Sequence, residues 1–225
     1  MKRPLPVLAA IAVLAALAAP AAPAAQDPVD LCKSIGKVTV GQWASYAVAG
    51  TPGHSGKVRF AIVGSERRGD TTLYWFEING SGTGPRDEGI MQVLVPGFGL
   101  ETSGIRGMVM KTGAQPAMKL PEQMLATVSQ RMADNNPALL IAHRCATAQV
   151  VGWETVAVPA GSIKALHLKD SEGGEAWMSR DVPFGIVKAH SKDGENLVLT
   201  GRGMDAKSSI TEKPMELPGM MIPHQ

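Results

Sequence analysis

A mainly β domain, built as a curved antiparallel sheet (a half-barrel) with one or two covering helices, is the fold class this sequence predicts. Three observations carry the expectation. Apolar residues alternate at period two in short runs, turns rich in glycine or proline separate those runs, and one segment of the interior has a clear helical period.

Taken in order, Trp43 to Val48 is rich in strand formers and stops at Gly50-Thr51-Pro52-Gly53. Lys57 to Val63 alternates, with Val58, Phe60 and Ile62 facing one way and Lys57, Arg59 and Ala61 the other. Glu66 to Asp70 reads as a polar turn. Thr71 to Ile78 then sets Leu73, Trp75 and Glu77 on one face and Tyr74, Phe76 and Ile78 on the other. Such runs at close spacing are hairpin signals. Asn79 to Glu88 is glycine-rich and polar, a loop, after which Gly89 to Val95 resumes as a strand and ends at Pro96-Gly97.

Ile105 to Lys111 reads as a strand or a short helix, with Gly104 and Gly107 weakening both. Pro121 to Met132 is the helix. Proline sits where the first turn tolerates it, Glu122 follows, and Met124, Leu125, Val128 and Met132 share a face. Asn135-Asn136-Pro137 ends it. The strand pattern then returns as Thr147 to Val158, Ser162 to Leu168, Glu175 to Ser179, Phe184 to His190 and Leu197 to Gly201, an antiparallel meander.

The chain opens as an export signal does. Lys2 and Arg3 precede an uncharged run from Val7 to Ala19, and Ala22-Pro23-Ala24 offers an Ala-x-Ala cleavage pattern. The run is shorter than the roughly 20 apolar residues that span a bilayer. A lipid anchor at Cys32 is disfavoured, because acidic Asp30 spoils the small-residue pattern before it. Residues 1–25 are therefore expected to be a cleaved signal peptide, 26–213 a single β-rich domain and 214–225 an extended tail, in a periplasmic or secreted protein. Removing Lys2 and Arg3 leaves twenty basic residues against twenty acidic ones. A neutral chain has no general attraction to nucleic acid or to an anionic membrane face. Cys32 and Cys145 are expected to pair as a disulfide, the simplest fate of two cysteines outside the cytoplasm.

The block from Gly152 to Thr211 is the most distinctive. It holds Gly152-x-Glu154-Thr155-Val156, Val158-Pro159-Ala160-Gly161-Ser162-Ile163-Lys164-Ala165 and Trp177-x-Ser179, then Asp181-Val182-Pro183-Phe184-Gly185-x-Val187-Lys188 and Gly203-x-Asp205-Ala206-Lys207-Ser208-Ser209-Ile210-Thr211. Together these resemble a group of bacterial periplasmic proteins with lipoprotein-carrier-like (LolA-like) architecture. The resemblance implies a half-barrel whose open face is covered by helical segments and whose cavity holds acyl chains. Independently of it, Pro159 ends ladder bonding and Gly161 admits positive φ, which makes Val-Pro-Ala-Gly a structural punctuation mark.

Chemistry-bearing patterns are sparse. No Gly-x-Ser-x-Gly elbow, His-Glu-x-x-His pair or phosphate loop with its Lys-Ser pair occurs, and His167 falls mid-strand, where an imidazole is usually structural. The expectation is a non-enzymatic protein with no cofactor. Methionine is abundant, at 12, and aromatic residues are few. Flexible thioether side chains suit a pocket that accepts an apolar ligand or lipid. Candidate lining residues, between sheet and helix, are Trp75, Phe76, Val93, Met124, Leu125, Val128 and Phe184. A different class is soft-metal (copper) binding through Met215, Met220, Met221 and His224 of the tail, thioether and imidazole being suitable ligands. A third is an envelope interaction or scaffold protein that uses an exposed sheet edge for its partner.

Overall fold

In the computed structural model, residues 31, 37–50, 55–82, 88–97, 104–133 and 147–216 are described. They carry β1 (Trp43–Ala49), β2 (Ser55–Arg68), β3 (Thr71–Ser81), β4 (Gly89–Val95), β5 (Gly107–Thr112), β6 (Met118–Lys119), helix α1 (Glu122–Ala133), β7 (Gln149–Val158), β8 (Gly161–Lys169), β9 (Glu175–Met178), β10 (Ile186–His190), β11 (Asn196–Gly203) and β12 (Met215–Glu216). All twelve strands join one sheet in the order β12-β6-β5-β4-β3-β2-β1-β11-β10-β9-β8-β7. It is open and curved, not closed into a barrel. The expected signal peptide, Cys32 and Cys145, and Met220, Met221 and His224 lie outside the described residues.

The hairpins follow the sequence pattern closely. β2 and β3 stay paired from Lys57↔Ser81 to Arg68↔Thr71, with one bulge between Ile62 and Gly64. Glu66 to Arg68 are therefore strand and not turn. The polar turn shrinks to Gly69-Asp70, because Glu66 pairs with Leu73 and its carboxylate accepts a bond from Trp75 Nε1 at 2.8 Å. Asn79 to Ser81, expected in a loop, extend β3 because they pair with Arg59 to Lys57 of β2. Gly161 takes φ +113 at the β7–β8 turn, where a side chain would be strained.

Two features correct the expected topology. β1 pairs with both β2 and β11, so the sheet's midpoint joins the first strand to the next-to-last. The sheet is also mixed and not wholly antiparallel. After β11 the chain crosses the outer face as a strap and adds β12 parallel to β6 at the far edge. Met215 and Glu216 of the expected tail are thus in a strand, with Met215 N–H donating to Ala117 C=O at 2.8 Å.

The strap is held by chemistry spaced along it. Ala206 N–H donates to Gly41 C=O at 2.8 Å, and Asp205 accepts from Trp43 Nε1 at 2.7 Å. Farther on, the fully buried carboxylate of Glu77 accepts from Ser209 N–H at 2.9 Å, from Ser209 Oγ at 2.6 Å and from Gln92 Nε2 at 2.8 Å. Arg59 lies 3.9 Å from the same carboxylate. Ile210 then buries with Val109 and Ala117, next to Trp75 and Ile90. Glu212 pairs with Lys111 at 2.5 Å.

On the inner face the main core gathers Tyr46, Ile62, Leu166, Met178, Val187 and Leu199, among others, from both halves of the sheet. β7 reaches β10 and β11, so this half curls around the core. The Tyr46 hydroxyl donates to Ile186 C=O at 3.2 Å, and burial pushes the phenol well above its usual range.

Candidate functional site

The inner face carries two apolar clusters joined at one ring. In the first, Tyr46, Phe60, Phe76 and Phe184 pack at centroid distances of 5.5 to 6.0 Å, and the Phe60–Phe184 pair is edge-on. In the second, α1 sets Leu125 against Val93, Met108 and Leu120. Phe76 belongs to the rim of both. Met91, Val95, Ile105 and Val128 complete the rim of the second cluster, each half-buried.

Each element presents its residue for a local reason. Phe76 and Val93 are registered across β3 and β4, and Val93 with Met108 across β4 and β5, so all three side chains share one face. Helical spacing puts Leu125 and Val128 on one side of α1, three residues apart. The Ser129 hydroxyl accepts a bond from Ile105 N–H at 3.0 Å and fixes the helix over β5. Leu125 is the buried side chain of the helix between Glu122 and Gln130. Phe184 is no strand residue, although the sequence places it in one. It sits in the β9–β10 connection with φ 63, a conformation costly for a side chain of this size. Two turns hold it there, Ser179 N–H to Gly185 C=O at 2.8 Å and Gly185 N–H to Val182 C=O at 2.9 Å. Burial of its ring among the other aromatics offsets the strain.

Five of the seven expected lining residues are therefore on the inner face in or beside the joined clusters: Phe76, Val93, Leu125, Val128 and Phe184. Two are elsewhere. Trp75 alternates to the outer face, where its ring lies so close over Gly107 that a side chain there would crowd it. Met124 precedes Leu125 on α1 and is 37% exposed, turned away from the sheet.

Of the hollows on the described surface, two lie away from α1. One of about 240 Å³ is bounded by Gln42, Asp181, Pro183, Phe184 and Met204, among others. The other, of about 220 Å³, lies at Asn79, Ser81, Glu88, Lys111 and Gly113. A polar cluster that sequence reasoning passed over lies on the outer face of β7 to β10. His167 stacks on Trp177 at 4.3 Å, with Lys188 over that indole at 4.8 Å. The imidazole also lies 3.3 Å from Glu154 and 3.2 Å from Glu175. Desolvation raises the Glu175 carboxyl, but hydrogen bonds to His167 and Lys169 outweigh it and hold the group below its ordinary range. The cross-strand register His167↔Trp177↔Lys188 makes this cluster, and alternation within one strand does not reveal it.

No family model matches the sequence, and no curated protein matches it. Among solved structures, a Bacteroides fragilis protein of YmcC-like fold superposes with a TM-score of 0.36 at 10% identity, over 73% of this chain and 96% of that one. Among the described residues no helix is long and apolar enough to cross a membrane.

Proposed function

We propose that the protein binds a single long-chain apolar ligand, such as a fatty acyl chain, on the inner face of the sheet beside and beneath α1. The observation that supports this is an apolar floor against which the described side chains of the helix, Glu122 to Gln130, bury one residue. Leu125 is its buried anchor, and half-buried Phe76, Met91, Val95, Ile105 and Val128 ring the contact. Burying one leucine contributes roughly 1.5–3 kcal/mol, and an acyl chain laid along the same apolar surface gains several such increments. Among the described residues the floor offers apolar contact and no cluster of ionic groups, which favours a hydrocarbon chain over a polar solute. The methionines Met91 and Met108 give it an adaptable shape. The resemblance to lipoprotein-carrier-like periplasmic proteins belongs with this reading, as does a non-enzymatic role outside the cytoplasm.

Displaceable binding of the fluorescent fatty acid cis-parinarate tests it, together with the thermal shift on adding oleate. Saturable fluorescence, a raised melting temperature and loss of both in Val128→Trp, which fills the space beside the helix, are expected. Absence of both signals from the unmodified protein, with native mass spectra of bare chain after lipid exposure, overturns the reading. An envelope scaffold would instead give crosslinks to a partner that oleate leaves unchanged.

A further inference from the structure

Four methionines stand side by side on four adjacent strands. Met91 of β4 is registered with Met110 of β5, Met110 with Met118 of β6, and Met118 with Met215 of β12. Registered partners send their side chains to the same face, with Cβ atoms about 4.5–5.5 Å apart. Met91 packs beside the α1 cluster, whereas Met118 is half-buried and Met110 and Met215 are 43% and 51% exposed. Met108 and Leu120, two residues away from Met110 and Met118, are already buried in that cluster. The row therefore emerges where the helix-covered region ends, within reach of solvent.

Core packing does not explain thioethers in such a place. Sheet edges are ordinarily protected by charge, and the outer face of these strands follows that rule. Lys111 and Lys119, each next in sequence to a methionine of the row, alternate to that face and pair with Glu212 at 2.5 Å and Glu216 at 3.4 Å. The inner face has sulfur instead.

We propose that Met110, Met118 and Met215 form a binding site for a soft monovalent metal ion, Cu(I) or its analogue Ag(I), with Met91 as the next donor along the row. Thioether sulfur is a soft, uncharged ligand that selects Cu(I) over Zn²⁺ or Mg²⁺. Strands lie about 4.8 Å apart, so an ion above Met118 is one strand spacing from the backbones on either side. The flexible side chains of Met110 and Met215 close that gap by leaning inward. The lysine ammonium groups, on the opposite face, do not oppose the cation. Because β12 is a two-residue strand, the ion also fastens the end of the strap to the sheet. The site adjoins the apolar floor beneath α1 and shares Met91 with its rim, but Met110, Met118 and Met215 lie outside that floor and neither proposal depends on the other.

Methyl NMR of the full chain labelled at methionine Cε, titrated with Ag(I), reads the site directly. The methyl signals of Met110, Met118 and Met215 are expected to move and saturate together. Those of Met204 and Met124, exposed at 59% and 37%, serve as internal controls and stay in place. Met118→Leu and Met215→Leu should each weaken Ag(I), and Cu(I) in competition with bathocuproine disulfonate, by about tenfold or more. Met204→Leu should not, and the remaining methyl signals report that each variant is folded. Equal movement of every exposed methionine, movement confined to Met220 and Met221, or unchanged affinity in both row variants overturns the proposal.

Discussion

Glu77 is the residue on which the outer face depends most. Its carboxylate is fully buried and takes bonds from two elements far apart in sequence, Gln92 on β4 and Ser209 on the strap. Hydrogen bonds to a charged group contribute about 1.5–3 kcal/mol each, and deleting one partner strands the others. Glu77→Ala should therefore destabilise the protein by about 3 kcal/mol or more in urea unfolding, while exposed Glu172→Ala, a control, stays near the parent. The sequence assigned Glu77 to the right face, opposite Phe76, because alternation is a property of one strand. It did not disclose burial, because Ser209, which covers the carboxylate with two of its bonds, arrives 132 positions later. Phe184 was legible as an inner-face candidate in the same limited way. Its left-handed backbone was not, since that conformation is imposed by the turn bonds and ring contacts around it.

The strap is the element that period-two reasoning could not reach. Gly203 to Lys213 has neither alternation nor helical period, and its order comes from contacts made one at a time with β1, β3, β4 and β5. Two of these are charged. The bond from Trp43 holds the Asp205 carboxyl below its ordinary value of 3.8, and the bond from Lys111 does the same to Glu212 below 4.5. Both groups have lower values folded than unfolded, so their stabilisation is complete above the ordinary carboxylate range and is lost as the pH falls through the folded values. Amide hydrogen exchange should report this. Protection factors at Ala206, Ser209 and Met215 are expected to fall from pH 5 toward pH 3 ahead of those in β1 and β2. Asp205→Asn with Glu212→Gln should flatten that dependence; an unaltered profile would show that the strap is held by Ile210 and Glu77 alone. Strand positions, by contrast, were nearly all legible, as β4 at Gly89–Val95 illustrates, because a hairpin's register is written in its own residues. Helix α1 was legible from the 3.6-residue spacing of Leu125 and Val128, but not the outward turn of Met124, which depends on where the sheet lies.

Across the whole molecule, one core draws residues from β1 and β2 and from β8 to β11, so the two halves of the sheet should unfold together. The four tryptophans provide the means to check: Trp43 and Trp75 lie in one half, Trp153 and Trp177 in the other. Variants that retain one tryptophan each should give coincident denaturation midpoints, and midpoints that separate by half would disprove a single unit. The sheet's order escaped the sequence because β1, paired with β2 on one side, takes β11 on the other, and nothing in seven residues names a partner so distant. The strap gives that order a temporal meaning. Glu77 waits for Ser209 and Met118 waits for Met215, so a growing chain cannot complete even its early strands until its last ones have been made. Long-range closure of this kind folds slowly, on a scale of milliseconds to seconds. The sheet thus becomes whole only when its earliest and its latest strands meet.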